Sequence, residues 1–139
     1  MDPESVLALC HEHAAAETEL DMARVLATLT PDPRFEYFPL GKALAGWDKV
    51  ERFYLEQYPR FVRRVVGFEL LDEWANARAA LQEYVISVGD GENGSYHVVS
   101  MMPVDQGSEL LIGERLYCDD AFVRVLLGPL YEVLEPVQD

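Results

Sequence analysis

The sequence predicts an α+β domain in which helices pack on one face of a curved antiparallel meander. Three observations carry this. Apolar residues recur at helical spacing from Val6 to Leu29 and again from Val50 to Phe61. From Val65 the period changes to two and holds through four runs joined by short turns. Several of those runs are apolar on both faces, as with Val85 beside Ile86 and Leu110 beside Leu111. One face can take the helices; the other needs cover, and a second copy of the chain is the simplest source. A homodimer through the outer face of the sheet is therefore expected.

In order, Ser5 is placed to cap a first helix whose buried stripe is Val6, Leu9, Cys10, His13 and Ala16, with Glu17 near its edge. A break at Thr18 to Asp21 leads to a second helical run carrying Met22, Val25, Leu26 and Leu29. Thr30-Pro31-Asp32-Pro33 must stop it, since proline removes a donor and restricts its predecessor. Arg34 to Phe38 reads as a short strand closed by Pro39, and Gly41 to Gly46 as a turn with at most a short strand. Asp48, with Glu51 three residues on, predicts a capping box for a third helix bearing Val50, Phe53, Tyr54, Gln57, Tyr58 and Phe61. Pro59 ends or distorts that helix.

The first two-period run places Val66, Phe68, Leu70, Asp72 and Trp74 opposite Gly67, Glu69, Leu71 and Glu73. After a turn at Asn76 come Gln82, Tyr84, Ile86 and Val88 on one face, then a hairpin loop over Gly89 to Gly94. Tyr96, Val98, Ser100, Met102 and Val104 share a face of the next run. Asp119 or Asp120 caps a closing helix to Leu127, stopped by Gly128-Pro129. A last amphipathic turn carries Leu130, Tyr131, Val133 and Leu134.

The most informative run is Leu110 to Asp119. Leu110, Ile112, Leu116 and Cys118 alternate with Leu111, Gly113, Arg115 and Tyr117, which places Glu114 on the apolar face. A carboxylate facing a core is costly unless it is paired, hydrogen-bonded or protonated. That face must hold a partner for Glu114 or line a cavity.

The totals narrow the function classes. A chain of 139 residues, half hydrophobic and with seven tyrosines, six phenylalanines and two tryptophans, suits one domain with a sizeable core. A net charge of −14 argues against a nucleic-acid partner, which needs clustered Lys and Arg. No apolar run approaches the roughly 20 residues of a membrane helix. The acidic start, Met-Asp-Pro-Glu, lacks a signal-peptide layout, so a cytoplasmic location is expected. Cys10 and Cys118 lack zinc-site spacing and read as buried, reduced thiols. His11 and His13 diverge on a helix, and neither metal nor cofactor is expected.

Three segments carry a resemblance. The two leading helices followed by Thr28 to Pro39, and Gly46 to Tyr54 with its Val-x-x-Phe-Tyr, resemble the nuclear transport factor 2-like superfamily. Gly113 to Asp119, with Leu127-Gly128 after it, resembles the SnoaL-like branch. The resemblance implies a cone: a bent antiparallel or mixed sheet wrapped around a long N-terminal helix, helices on the concave side, a deep pocket, and often a dimer across the outer face. It also implies a functional range from ketosteroid isomerases and polyketide cyclases to proteins that only bind or scaffold. His13 stands where the isomerases keep a polarising phenol. Tyr37 or Phe38 stands at their aspartate base and Ser100 near their second acid. Glu114 and Leu116 stand where the cyclases carry a histidine and an aspartate. Neither activity transfers intact.

The candidate chemistry therefore rests on Glu114 and His13. An apolar pocket is expected to raise the Glu114 pKa and fit it to move a proton, while a structural hydrogen-bonded role remains the alternative. His13 is either its partner, a donor to a ligand oxygen, or a satisfied core residue. Gln82, Tyr84 and Ser100 alternate onto one face as orienting groups. Tyr37, Trp47, Tyr54 and Tyr58 offer an aromatic wall, and Leu116 and Cys118 the rest of the lining. Two functions follow: acid–base catalysis on a small, largely apolar carbonyl compound, with His13 and Tyr84 holding the oxyanion, or a non-catalytic dimeric binding or scaffold protein.

Overall fold

Residues 1–91 and 93–137 are described in a computed structural model; Glu92, in the expected hairpin loop, lies outside the described residues. The first helix, α1 (Pro3–Thr18), buries Val6, Cys10, His13 and Ala16, the expected stripe less Leu9, which is half-buried. Its cap is Asp2 rather than Ser5: the Asp2 carboxylate accepts from the Ser5 amide at 2.8 Å, and Pro3 fills the first turn, where no N–H is needed. After the expected break, α2 (Met22–Ala27) is shorter than predicted. It ends before the prolines, and β1 (Leu29–Phe38) starts at Leu29 and runs through both of them.

The prolines are tolerated because the pairing opens around them. Leu29 pairs with Leu111 and Arg34 with Gly113, so residues 30–33 bulge out opposite Ile112 alone. A short strand, β2 (Lys42–Ala45), follows. The third helix, α3 (Trp47–Arg52), starts from Gly46, with no side-chain cap from Asp48. It continues through a π-helical turn (Phe53–Gln57) into α4 (Tyr58–Arg64). Pro59 thus distorts the helix without ending it, because the wider turn before it relieves the clash with the preceding carbonyl.

The remaining strands are β3 (Val65–Ala75), β4 (Ala79–Val88), β5 (Gly94–Pro103), β6 (Leu111–Tyr117) and the short β7 (Glu135–Pro136), which sequence patterning did not predict. The sheet order is β3-β4-β5-β6-β1-β2-β7. β3 to β6 form the expected antiparallel meander, and β1 joins β6 in parallel, which makes the sheet mixed. Helix α5 (Asp120–Leu127) follows Asp119, whose side chain makes no capping bond, and a 3-10 turn (Gly128–Val133) carries the last apolar residues. No helix among the described residues is long and apolar enough to cross a membrane.

Register sets the faces. Ala80, Gln82, Tyr84, Ile86 and Val88 pair with Met102, Ser100, Val98, Tyr96 and Gly94 on the side that receives the helices, as alternation predicts. On β6 the alternation fails once. Leu111 is buried and Ile112 exposed, the reverse of the expected phase, while Glu114 and Leu116 face inward as expected. The phase changes at Gly113, whose backbone touches Arg34 so closely that a Cβ there would lie 1.8 Å from the Arg34 carbonyl oxygen. The outer side leaves Trp74 (51% exposed) and Tyr117 in solvent, and Val66 (73%) and Leu71 are exposed at the two bulges of β3.

Candidate functional site

Between α1, the π-turn, α4 and the inner face of the sheet lies a cavity of about 400 Å³. Its walls are mostly apolar and aromatic, including Phe35, Phe53, Phe61, Phe68, Met102 and Phe122. Of the expected residues, His13, Tyr37, Tyr54, Gln82, Tyr84, Ser100, Glu114 and Leu116 all line it, as does Tyr58. Two do not. Trp47 opens α3 at the rim of the core, where its indole N–H reaches Glu51 at 3.3 Å. Cys118 follows the end of β6 and packs beside Phe38, Pro39 and Tyr117, near Tyr37 but not in the cavity lining. Strand alternation does not extend beyond the last paired residue, Tyr117, so Cys118 inherits no inward direction, and Trp47 sits at the start of α3, before the turns that face the cavity.

The polar groups gather around His13. The imidazole is 1% exposed, and its Nε2 lies 3.5 Å from Glu17 Oε2 and 3.7 Å from Glu114 Oε2. Those carboxylates are 17% and 15% exposed. Glu17 lies near the edge of the helical stripe, and its spacing of four from His13, which puts both on one face of α1, is the signal for it. Ser100 Oγ donates to Glu114 Oε1 at 2.8 Å, so the surroundings of Glu114 are hydrogen-bonding and charged rather than simply apolar.

The hydrogen bonds fix the protonation of His13. Tyr54 donates its hydroxyl proton to Glu17 at 3.0 Å, so it can only accept from His13 Nε2 at 3.1 Å. Thr28 donates to the Val25 carbonyl at 2.6 Å, so it accepts from Nδ1 at 2.7 Å. With both hydroxyls already donating, the arrangement suits a ring that donates from both nitrogens, an imidazolium. Burial works against that charge, but the charge of Glu17 and the interactions with Glu114 outweigh it and carry the pKa from 6.5 to about 10. Neither N–H is free for a ligand oxygen.

Other groups register the same two carboxylates. Burial, and then the charge of Glu114, push the Cys10 thiol up to about 12. Burial, reinforced by Glu114 and Glu17, holds the Tyr84 phenol well above its usual 10.0. The Tyr37 ring is fully buried, and its hydroxyl is the one buried side-chain polar atom without a hydrogen-bond partner among the described residues. His11, by contrast, points outward to Glu73 at 3.0 Å. Donor atoms of His13, Glu17 and Glu114 lie within 4.8 Å of one another, near enough to hold a cation, although a metal would need the lone pair that Nε2 has given to its proton.

No protein-family profile and no curated protein sequence matches this chain. Solved structures do resemble it. A steroid delta-isomerase from Pseudomonas aeruginosa superposes with a TM-score of 0.68 at 16% identity, over 93% of this chain and 93% of that chain. An NTF2-like protein of unknown function from Burkholderia pseudomallei K96243 gives 0.64 at 17%, over 89% and 98%. A de novo designed protein with a curved β-sheet gives 0.68 at 16%, over 96% and 99%. Likeness at this identity is likeness of fold, which hosts many functions. With its helices on the concave side of a mixed, curved sheet, the chain has the nuclear transport factor 2-like cone fold.

Proposed function

We propose that this protein binds a small molecule with a largely apolar body and one polar group, and that Glu114 carries any proton moved on it. The supporting observation is the lining of the cavity: aromatic and aliphatic walls, with Glu17, His13, Glu114 and Ser100 drawn together by their mutual contacts and the unpartnered Tyr37 hydroxyl in the same lining. A volume of about 400 Å³ lies in the range of small-molecule sites. His13, already an imidazolium, steadies the acids rather than accepting a proton. The hydroxyls of Tyr37 and Tyr84, rather than His13, are the groups left to meet the ligand's polar group. The chemistry served is general acid–base, of the kind used in isomerisation or cyclisation.

A thermal-shift screen over ring ketones, alcohols and amines tests the binding. Stabilisation by at least one class is expected, and no hit among steroid-like, polyketide-like or amine compounds would remove the ligand reading. For a hit with an exchangeable C–H, deuterium incorporation followed by NMR tests the proton transfer. Glu114→Gln should slow it by about 100-fold or more. Binding that survives this substitution, with no exchange in the wild type, would leave a binding protein only.

The exposed apolar residues on the outer side of the sheet favour a homodimer through that face. Light scattering should give twice the 15.8 kDa chain mass, and Trp74→Glu should return the monomer. A wild-type monomer at micromolar concentration would end this proposal. The free thiols of Cys10 and Cys118 suit the reducing cytoplasm in which we place it.

A further inference from the structure

The polar end of the cavity carries more negative than positive charge. Glu17 accepts from Tyr54, and Glu114 accepts from Ser100, so both acids stand as acceptors. His13 is the single cation between them. Among the described residues, no lysine or arginine lines the cavity. Arg24 is paired with Glu12 and Glu19, and Arg34 and Arg115 with Glu36, while Arg63 and Arg64, between the lining residues Val62 and Val65, do not themselves line it. Two carboxylates against one imidazolium leave one negative charge over, in a space walled mainly by apolar side chains. Such an excess calls for a counter-charge.

A second observation is independent of that count. The fully buried Tyr37 lines the same cavity with an unpartnered hydroxyl, a free acceptor and donor awaiting a polar group. The third is the wall itself. Tyr58, Tyr84 and Phe68 border the cavity with π-systems, whose faces attract cations. The oxygens of Glu17 and Glu114 lie within 4.8 Å of each other, close enough for one nitrogen to donate to both.

We propose that the ligand is a monocation: a protonated amine on an apolar body, its N–H groups shared between Glu17 and Glu114, with the Tyr37 hydroxyl oxygen also accepting. This rests on the ligand-binding reading above and adds the charge of the bound molecule. A bare divalent metal fits less well, because the proton on His13 Nε2 occupies the position a metal would need.

Calorimetric titration at neutral pH with matched probes tests it. The probes are tryptamine and 2-phenylethylamine, their neutral counterparts tryptophol and 2-phenylethanol, the anion indole-3-propionate, and Zn2+. The amines should bind about tenfold or more tighter than the alcohols, and neither the anion nor Zn2+ should bind. Glu17→Gln and Glu114→Gln should each weaken amine binding by about tenfold and leave the alcohols within about threefold. Alcohols binding as tightly as amines would overturn the charge assignment and leave the ligand reading intact. Zn2+ binding that Glu114→Gln abolishes would replace the amine by a metal. No binding by any probe at millimolar concentration would overturn both. Should a variant fail to fold, the amine-to-alcohol ratio of the wild type decides alone.

Discussion

Replacing His13 by glutamine is expected to cost about 3–5 kcal/mol of folding stability, measured as a fall in the urea midpoint. The imidazolium is the only positive charge between Glu17 and Glu114 among the cavity-lining residues, and both of its N–H groups are bonded. Removing it leaves two like charges close together and strands the acceptors Thr28 and Tyr54. Thr28→Val removes the acceptor of Nδ1 together with the hydroxyl's own bond to the Val25 carbonyl, and should cost about 1–3 kcal/mol, mainly that of one unsatisfied buried donor. The pH dependence has a definite sign. The folded pKa is raised from 6.5 to about 10, so the folded state holds this proton more tightly than the unfolded chain does. The stabilisation is complete below about 6.5 and disappears as pH rises through about 10. Cys10 and Cys118, pushed from 9.0 to about 12 mainly by burial, add a loss of the same sign above pH 9. The measurement is therefore the wild type compared with His13→Gln: the slope between pH 6.5 and 9 should be present in the first and absent in the second. Equal slopes would refute the imidazolium assignment.

Gly113→Ala should lose more than about 4 kcal/mol or yield no folded protein, read by circular dichroism of the purified variant. Gly113 has φ +149, and an added methyl would sit 1.8 Å from the Arg34 oxygen and 2.6 Å from its carbonyl carbon. Both atoms are backbone, so relief requires β1 and β6 to separate where they place Phe35 beside Glu114. Gly41→Ala is the control. Its φ is +74, but the nearest atom to a Cβ is 3.9 Å away, so only conformational strain remains, about 1 kcal/mol. Similar losses in the two variants would show that close approach at Gly113 is not what matters.

That glycine also marks how far the sequence can be read. Alternation placed Gln82, Tyr84 and Ser100 on the inner face because β4 and β5 pair without interruption. It placed Glu114 and Leu116 correctly, and Ile112 wrongly, because the phase of β6 changes at Gly113 and a sequence pattern does not contain its partner strand. The prolines misled for the same reason. Pro31 and Pro33 are poor residues for a strand, yet a bulge holds them opposite Ile112. Caps are contests between neighbours: Asp2 wins over Ser5, and Gly46 displaces Asp48. Within the site, the inward acid, its histidine and the phenols were legible from periodicity. The charge on His13 was not, since it depends on where Tyr54 and Thr28 send their own protons.

The long edge strand β3 exposes apolar residues along much of its length, Val66, Phe68, Leu70, Leu71 and Trp74 among them, and such an edge invites other chains to add to it. What opposes uncontrolled addition beyond a dimer is the shared sign of the surfaces, a net −14, with Glu69 and Asp72 set among those residues. That protection is a property of the solvent as much as of the fold. Acidified towards the isoelectric point near 4.4, the molecules lose their mutual repulsion while the sticky edge remains, and precipitation should set in before any loss of secondary structure.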